Sequence, residues 1–528
     1  MTARLVWIAF SGVIVGCVGG GADEDTNSVV QSVETSGDIK HDMSPPLGGL
    51  TPLPQDGGGD KHEKKLHLFA PPDGLARGES DPVAQTGVPV PSAATGLLNI
   101  AGVGNGDYGF TPNAAPPDTN GAVGATQFVQ WVNESFAVFD KTTGALVFGP
   151  AAGNTLWQGF GGPCETNNDG DPIAQYDRIA NRWVLSQFSV SGSAGFFQCI
   201  AVSTTSDATG SYFRYAFQQP NFNDYPKIGM WPDAYYVTFN IFTSTFQGAR
   251  VCAFDRAQMI AGAPATQECF QLSSSFASLL PADLDGVASP PPAGSPNYLL
   301  NFGTNSLRLW KFHVDFANPA NATLTGPTTI ATAAFSPACG GGACVPQPGT
   351  REKLDSLGDR LMYRLAYRNR AGTETLVVSH SVKVSGNKKT EVDGVRWYEV
   401  RNPNATPSVF QQGTFSPDAT SRWMPSAAMD KLGNIAVGYS ASSGTVHPAV
   451  RYAVRQAGDP LGTLQAETSV IEGAGSQLTN LNRWGDYSAM TIDPVDDCTF
   501  WYTNEYLKAN GTFNWSTRIA SFKIPGCQ

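Results

Sequence analysis

The feature that most constrains this chain is a repeat of short strands. From Asp118 onward, alternating apolar and polar runs recur between Gly-, Asn- and Asp-rich turns. Each group opens on a strand of small residues and continues into an aromatic or β-branched one. The clearest group reads DPIAQYD, NRWVLSQFS, FFQCIAVSTT and SYFRYAF over 171–217, and the next reads YPKIGMWPD, AYYVTFNIF, ARVCAFD and ECFQLS. Further groups begin at DLDGVASP, KLDSLGDR and PSAAMD, and one before them begins at NGAVGA. The last group, DYSAMTIDP, CTFWYTNEYL and TRIASFKIP, has three strands only. A period of two marks strands, and repeated four-strand units that cannot each bury a core alone must pack against one another.

The expected fold is therefore all-β, a seven-bladed β-propeller of four-stranded antiparallel blades over 96–528. Small residues fall on the innermost strands because those strands converge on a central channel. At about 59 residues each, the units exceed the ~40 to 50 of compact propeller repeats, and the excess lies in loops. The missing strand of the last unit is expected from LLNIA, Leu97 to Ala101, closing the ring. The alternative is an irregular stack of β-sandwiches.

Ahead of these units, MTARLVWIAFSGVIVGC carries one basic residue, Arg4, and an apolar core from Leu5 to Val15. That is a secretory signal over 1–17, too short to span a bilayer. Ile14, Val15, Gly16 and Cys17 resemble a bacterial lipobox, so Cys17 is expected to be acylated and to hold the protein on the membrane by lipid alone. Val18 after it resembles sorting to an outer membrane. Residues 18–95 are rich in Gly, Pro, Ser and Asp, including GGLTPLPQDGGGD. With so little apolar surface to offset ordering entropy, they are expected to form a disordered, flexible stalk. The net charge of −11 gives no field to attract a phosphate backbone, so nucleic acid is excluded as a first expectation, and a monomer is expected.

Without Cys17, eight cysteines remain, an even count that reads as disulfides in an exported chain. Sequence neighbours suggest Cys164 with Cys199, Cys252 with Cys269, Cys339 with Cys344 and Cys498 with Cys527. For the last pair, CTFWYTNEYL and STRIASFKIPGC read as consecutive antiparallel strands, which sets the start of one opposite the end of the other. The Cys339–Cys344 loop has no nearby histidine and reads as a staple rather than a metal site.

The segments PPDTNGAVG, WVNESFAVFDKTTGALVFGP, NNDGDPIAQYD, DYPKIGMWPDAYYVTFN, RLWKFHVDF, KLDSLGDRLMYRLAYRN, RWMPSAAMD and RWGDYSAM together resemble a family of secreted bacterial β-propeller proteins. The resemblance covers about 116–527. That family is similar in architecture to sialidase-like propellers, so the resemblance implies fold and export and leaves the chemistry to the residues.

Loops leading into innermost strands open on one face of a propeller. They carry Asp118, Asp171, Asp224 and Asp285, then Arg351, Glu352 and Asp355, Arg422 with Trp423, and Arg483, Trp484, Asp486 and Tyr487. Carboxylates hold sugar hydroxyls or a cation, arginines clamp a carboxylate or sulfate, and indoles stack on sugar rings. Asp residues at such turns also serve as plain caps, and Arg–Trp pairs also lock neighbouring sheets. Asn167, Asp169 and Asp171 in NNDGD resemble part of a calcium loop without the full twelve-residue pattern. A sialidase-like mechanism would use Arg351, Arg422 and Arg483 on a substrate carboxylate, Tyr487 with Glu352 as nucleophile, and Asp171 or Asp224 as acid/base. Its Arg-Ile-Pro segment is absent, and the nearest Asp-box, Thr205 to Gly210, sets its glycine one position late. No GxSxG, HExxH or Walker A sequence occurs.

The leading expectation is an exported, surface-anchored propeller that binds a glycan or a cell-surface protein at its channel mouth without turnover. The alternatives are a sialidase-like glycoside hydrolase or polysaccharide lyase acting on acidic sugars, and a structural envelope protein.

Overall fold

A computed structural model describes residues 29, 32–54, 61–64, 67, 69, 80–87, 89–387, 389–478 and 480–528. Local chemistry explains how one unit is laid down. Ile173–Asp177 pairs antiparallel with Arg182–Ser189 through a turn in which one Asp177 carboxylate oxygen accepts the Ile179 and Ala180 amides, both at 3.0 Å. Asn181 closes that turn in the left-handed region at φ 54°, a conformation its short polar side chain tolerates. Phe196–Ser203 and Tyr212–Gln219 continue the antiparallel sheet outward.

The same order recurs. Thr119–Val123, Gln127–Val132, Ser135–Asp140 and Leu146–Ala152 form one sheet. Phe222–Met230, Ala234–Phe242, Phe246–Asp255 and Thr266–Gln271 form another. Next come Leu280–Leu284, Asn297–Gly303, Ser306–His313 and Thr323–Ala331, then Met362–Arg370, Thr373–Ser385, Val392–Arg401 and Ser408–Phe415. Ser421–Met429, Ile435–Ser442, Ala449–Arg455 and Thr468–Ile471 follow. The last sheet takes Ala489–Ile492, Thr499–Leu507 and Trp515–Lys523 from the C-terminal region and its outer strand from Thr95–Ala101. The fold is thus all-β and built of four-stranded antiparallel units.

The innermost strands touch one another in chain order, from Thr119–Val123 through Ile173–Asp177, Phe222–Met230, Leu280–Leu284, Met362–Arg370 and Ser421–Met429 to Ala489–Ile492, which returns to Thr119–Val123. Such a closed circuit, with sheets radiating outward, is the arrangement of a β-propeller. Between Leu280–Leu284 and Met362–Arg370 the contact is close enough for parallel pairing, Ala282 with Leu365 through Leu284 with Tyr367. Small inner residues are a steric requirement: a Cβ on Gly229 would sit 2.3 Å from the Ala282 carbonyl oxygen. Outward, facing sheets bury aromatic layers. Trp131, Trp157 and Trp183 lie in one such layer, and Tyr452 stacks on Phe522 at 3.7 Å in another. Each fully buried side chain of this size contributes about 1.5–3 kcal/mol.

Two sequence expectations are corrected. The stalk over 18–95 is not free where it is described. Glu34–Gly37 pairs with the outer strand Thr266–Gln271, Lys40–Met43 with Tyr212–Gln219, and Ala84–Gln85 with Ser408–Phe415. Asp81 and Arg396, both buried, form an ion pair at 2.7 Å. An outer strand offers a row of unpaired backbone groups, and a polar segment can satisfy them without an apolar face of its own. Secondly, KLDSLGDR is not an inner strand. That place is taken by Met362–Arg370, expected as the second strand of its group, and Asp285 follows Leu280–Leu284 instead of leading into it.

Cys164–Cys199, Cys252–Cys269, Cys339–Cys344 and Cys498–Cys527 are disulfide-bonded. Cys17 and the lipobox lie outside the described residues. Among the described residues, no helix is long and apolar enough to cross a membrane.

Candidate functional site

Several innermost strands begin with an irregular turn. Asp118, Asp171, Tyr225 and Met424 stand in the left-handed region at φ 43°, 49°, 57° and 49°, and the register shifts between Asp224 and Lys227 and between Trp423 and Ser426. An extra residue at a strand end re-aims the neighbouring side chains. Here it gathers Asp118, Asp171, Asp224 and Asp486, from four different sheets, around a single lysine.

That lysine, Lys227, is fully buried. Its ammonium lies 3.4 Å from the Tyr225 ring centroid and 4.1 Å from that of Tyr487, and donates to the Pro226 carbonyl at 2.9 Å. Ring faces and carboxylates both favour the cation. Burial still dominates and brings the Lys227 amine down to about 8 against the pull of Asp171, Asp486 and Asp118. Burial, then the Asp171 charge, pushes the Asp224 carboxyl up to about 8. Asp118 is held well above the carboxylate range by burial and by Asp486 and Asp171, and Asp171 is raised by burial although Lys227 opposes it. Asp118 is fixed by accepting from the Asp486 amide at 2.8 Å and the Asn133 side chain at 2.9 Å. Asp171 accepts the Tyr225 amide at 3.2 Å, and the Tyr487 hydroxyl donates to the Pro172 carbonyl at 3.0 Å.

Two guanidinium groups flank the cluster. Arg483 donates to Asp486 at 2.7 Å, and Arg360 donates to Asp359 at 2.8 Å while standing 4.6 Å over the Tyr225 ring. The N-terminal segment reaches this rim. Lys64 pairs with Glu134 at 2.5 Å and donates to the Asp169 carbonyl at 2.8 Å. Arg483 donates to the Lys64 carbonyl at 3.2 Å, Arg360 to the His67 carbonyl at 2.9 Å, and the Phe69 amide donates to Asp359 at 2.8 Å. Main-chain oxygens of 64 and 67 thus occupy donors that would otherwise face the mouth.

Of the residues singled out from sequence, Asp118, Asp171, Asp224, Arg483, Asp486 and Tyr487 are brought together, and buried Asp355 joins them 3.9 Å from Arg483. The rest are not. Arg422 is fully buried and clamped by Asp418 and Glu467 at 2.8–3.1 Å, so its charge is already spent on a lock between loops. Trp423 and Trp484 are buried against each other at 5.8 Å, and the Trp484 indole donates to Ser440, which leaves neither face for a sugar. Arg351 is exposed, and Glu352 accepts the Asn480 amide at 3.0 Å rather than meeting Tyr487. Arg351, Arg422 and Arg483 therefore do not form an arginine triad, nor do Tyr487 and Glu352 form the pair of a sialidase.

The calcium reading fails on geometry as well. Asp169 directs both oxygens to Val190 and Ser191, Asn167 bonds Ser189 and Ser191, and Asp171 faces Lys227. Among the described residues, the group whose ligand atoms lie within 4.8 Å of one another is Cys339, Cys344, Glu391 and Asp393, whose sulfurs are bonded to each other. Sequence reasoning missed Lys227, Tyr225, Asp359 and Arg360. The signal was present in DYPK and GDR, where charged residues stand at the start of inner strands.

No family model matches the chain, and no curated protein matches it. Among solved structures it is similar to a Penicillium chrysogenum α-L-arabinanase complexed with arabinobiose, at 9% identity over 82% of this chain and 100% of that one, with a TM-score of 0.35. It is similar to the polysaccharide lyase Uly1 at 13% identity, 84% and 97% coverage and TM-score 0.38, and to the N-terminal domain of Nup159 at 8%, 84%, 99% and 0.37. Likenesses this distant leave the function to the geometry of the cluster.

Proposed function

We propose that this chain is a seven-bladed β-propeller that acts on acidic glycans by acid/base chemistry at the mouth of its channel. The observation that carries this reading is a pair of carboxyls of unlike character in one cluster: Asp224, pushed up to about 8, and Asp486, ion-paired to Arg483 at 2.7 Å. A carboxyl that keeps its proton at neutral pH can donate it to a leaving oxygen, while an ion-paired carboxylate accepts or stabilises charge. In this scheme Asp224 is the proton donor, Asp486 its partner on Arg483, and Arg483 with Arg360 the groups that receive a sugar carboxylate. Substrate must displace the main-chain oxygens of Lys64 and His67 to reach those arginines. The signal and lipobox over 1–17 support an exported location on a lipid anchor at the outer surface. Binding of a glycan or protein without turnover is the second reading, favoured by the burial of Lys227 and Tyr487.

The test incubates the full chain with acidic and neutral polysaccharides, with and without calcium, and follows new reducing ends and unsaturated products. Products from an acidic polymer that vanish in Asp224→Asn support the reading. Saturable binding with no product from any polymer would replace it with the binding-only function.

A further inference from the structure

At the opposite end of the inner strands lies a second site. A cavity of about 470 Å³ opens between the loop after Leu280–Leu284, the hairpin joining Met362–Arg370 to Thr373–Ser385, and the ends of two neighbouring units. Its walls carry Arg368, Arg370, Arg401 and Lys431 with one carboxylate, Asp497, in a chain whose net charge is −11. Four cations in one cavity of an acidic protein do not follow from composition.

The placement of each cation decides what the cavity can take. Asp497 is fully used: its two oxygens accept from Arg368 at 2.7 Å each, and Arg368 also donates to the Met429 carbonyl at 2.7 Å. Gly286 is held against this pair at φ 80°, where a Cβ would meet the Arg368 guanidinium at 2.6 Å. Arg401 gives its Nε to Glu399 at 2.7 Å and lies 3.2 Å over the Phe410 ring, which fixes its plane, while no acceptor for its terminal amino groups lies among the described residues. Lys431 donates to the Asp496 and Gln528 carbonyl oxygens. Arg370 differs from all of them. It ends the strand at a two-residue hairpin of Ala371 and Gly372, both left-handed, and among the described residues no carboxylate or carbonyl accepts from its guanidinium.

We propose that this cavity binds the carboxylate or sulfate group of an acidic saccharide, with Arg370 as the bidentate clamp and Arg401 and Lys431 as flanking cations. A free guanidinium fork matches a planar or tetrahedral oxyanion, and the volume suits one or two sugar rings. The site stands independently of the mouth, at the other end of the channel, and would hold a charged polymer or a released product there.

Isothermal titration of the full chain with glucuronate, sulfated glucose and neutral glucose tests it, in parallel with Arg370→Ala. Arg370 is only half-buried, so the variant is expected to fold, and its melting temperature checks that. Binding of one or both charged sugars without glucose, weakened at least tenfold by Arg370→Ala and by 0.5 M salt, is the expected result; which of the two binds tells carboxylate from sulfate. Affinity unchanged in a folded Arg370→Ala protein, equal binding of neutral glucose, or no binding of either charged sugar would overturn the proposal. Asp224→Asn, which acts at the mouth, should leave this binding unchanged.

Discussion

Lys227 shows how a single residue organises the mouth. Four carboxyl groups brought together in a buried space cannot all ionise, and one ammonium stacked on Tyr225 and Tyr487 offsets the charge of those that do. Lys227→Met should therefore cost about 3–5 kcal/mol, read as a lower urea midpoint, because uncompensated buried charge remains. Asp224 carries the opposite pH signature to an ordinary salt-bridged acid. With its folded carboxyl near 8 and an ordinary value of 3.8, the native state binds more protons than the unfolded state between those pH values, so its contribution to stability falls as pH rises and is gone above 8. Asp224→Asn lacks that loss. The melting temperature of the variant relative to the unmodified chain should rise by a few degrees between pH 5 and pH 9, and a constant difference would contradict the placement of Asp224. Asp171, Asp486 and Tyr487 were legible in the sequence because strand beginnings on one face of a propeller converge. Arg422 and Trp423 stand at an equivalent place, but no sequence pattern reveals that Asp418 and Glu467 already occupy the guanidinium.

At the scale of elements, edges explain what composition missed. Residues 34–37 and 40–43 are polar and nearly all exposed or half-exposed, yet they extend two sheets because outer strands offer unpaired backbone groups. Arg214 fastens the second of them: it is buried, forms a two-point pair with Asp42 at 2.6 and 2.8 Å, and donates to the Leu156 and Gln158 carbonyls. Arg214→Ala should release this strand, so that trypsin cuts at Lys40 faster than in the unmodified chain. Equal cutting rates would mean that pairing to Tyr212–Gln219 suffices alone. The order of strands within most units was readable from period-two alternation. The unit around Met362–Arg370 was read one strand out of step because Arg364 and Arg368 interrupt its apolar pattern. Inside the ring they are ion-paired, Arg364 to Asp283 and Asp285 and Arg368 to Asp497, and a strand in that place tolerates charge that an outer strand pattern would not predict.

At the scale of the whole molecule, closure depends on one strand taken from far away in sequence. Thr95–Ala101 pairs with Trp515–Lys523, and LLNIA was legible as that strand because the last unit was one short. Deleting residues 95–101 should expose the edge of Trp515–Lys523 and give a protein that associates through it, seen as a shift to larger species in size-exclusion chromatography with strand content retained. A monomer eluting as before would show that the ring does not need this strand. Closure also sets the two ends of the channel apart, with acids and Lys227 at one end and Arg370 at the other.

The most direct test of the account is the pH–rate profile of product release from an acidic polysaccharide by the full chain, compared with Asp224→Asn. A proton donor near 8 predicts activity that holds through neutrality, falls above about pH 8 and is lost in the variant at every pH. A rate that is equal in the two proteins, or that rises through pH 8 to 9, would contradict the assignment of acid/base chemistry to the mouth cluster.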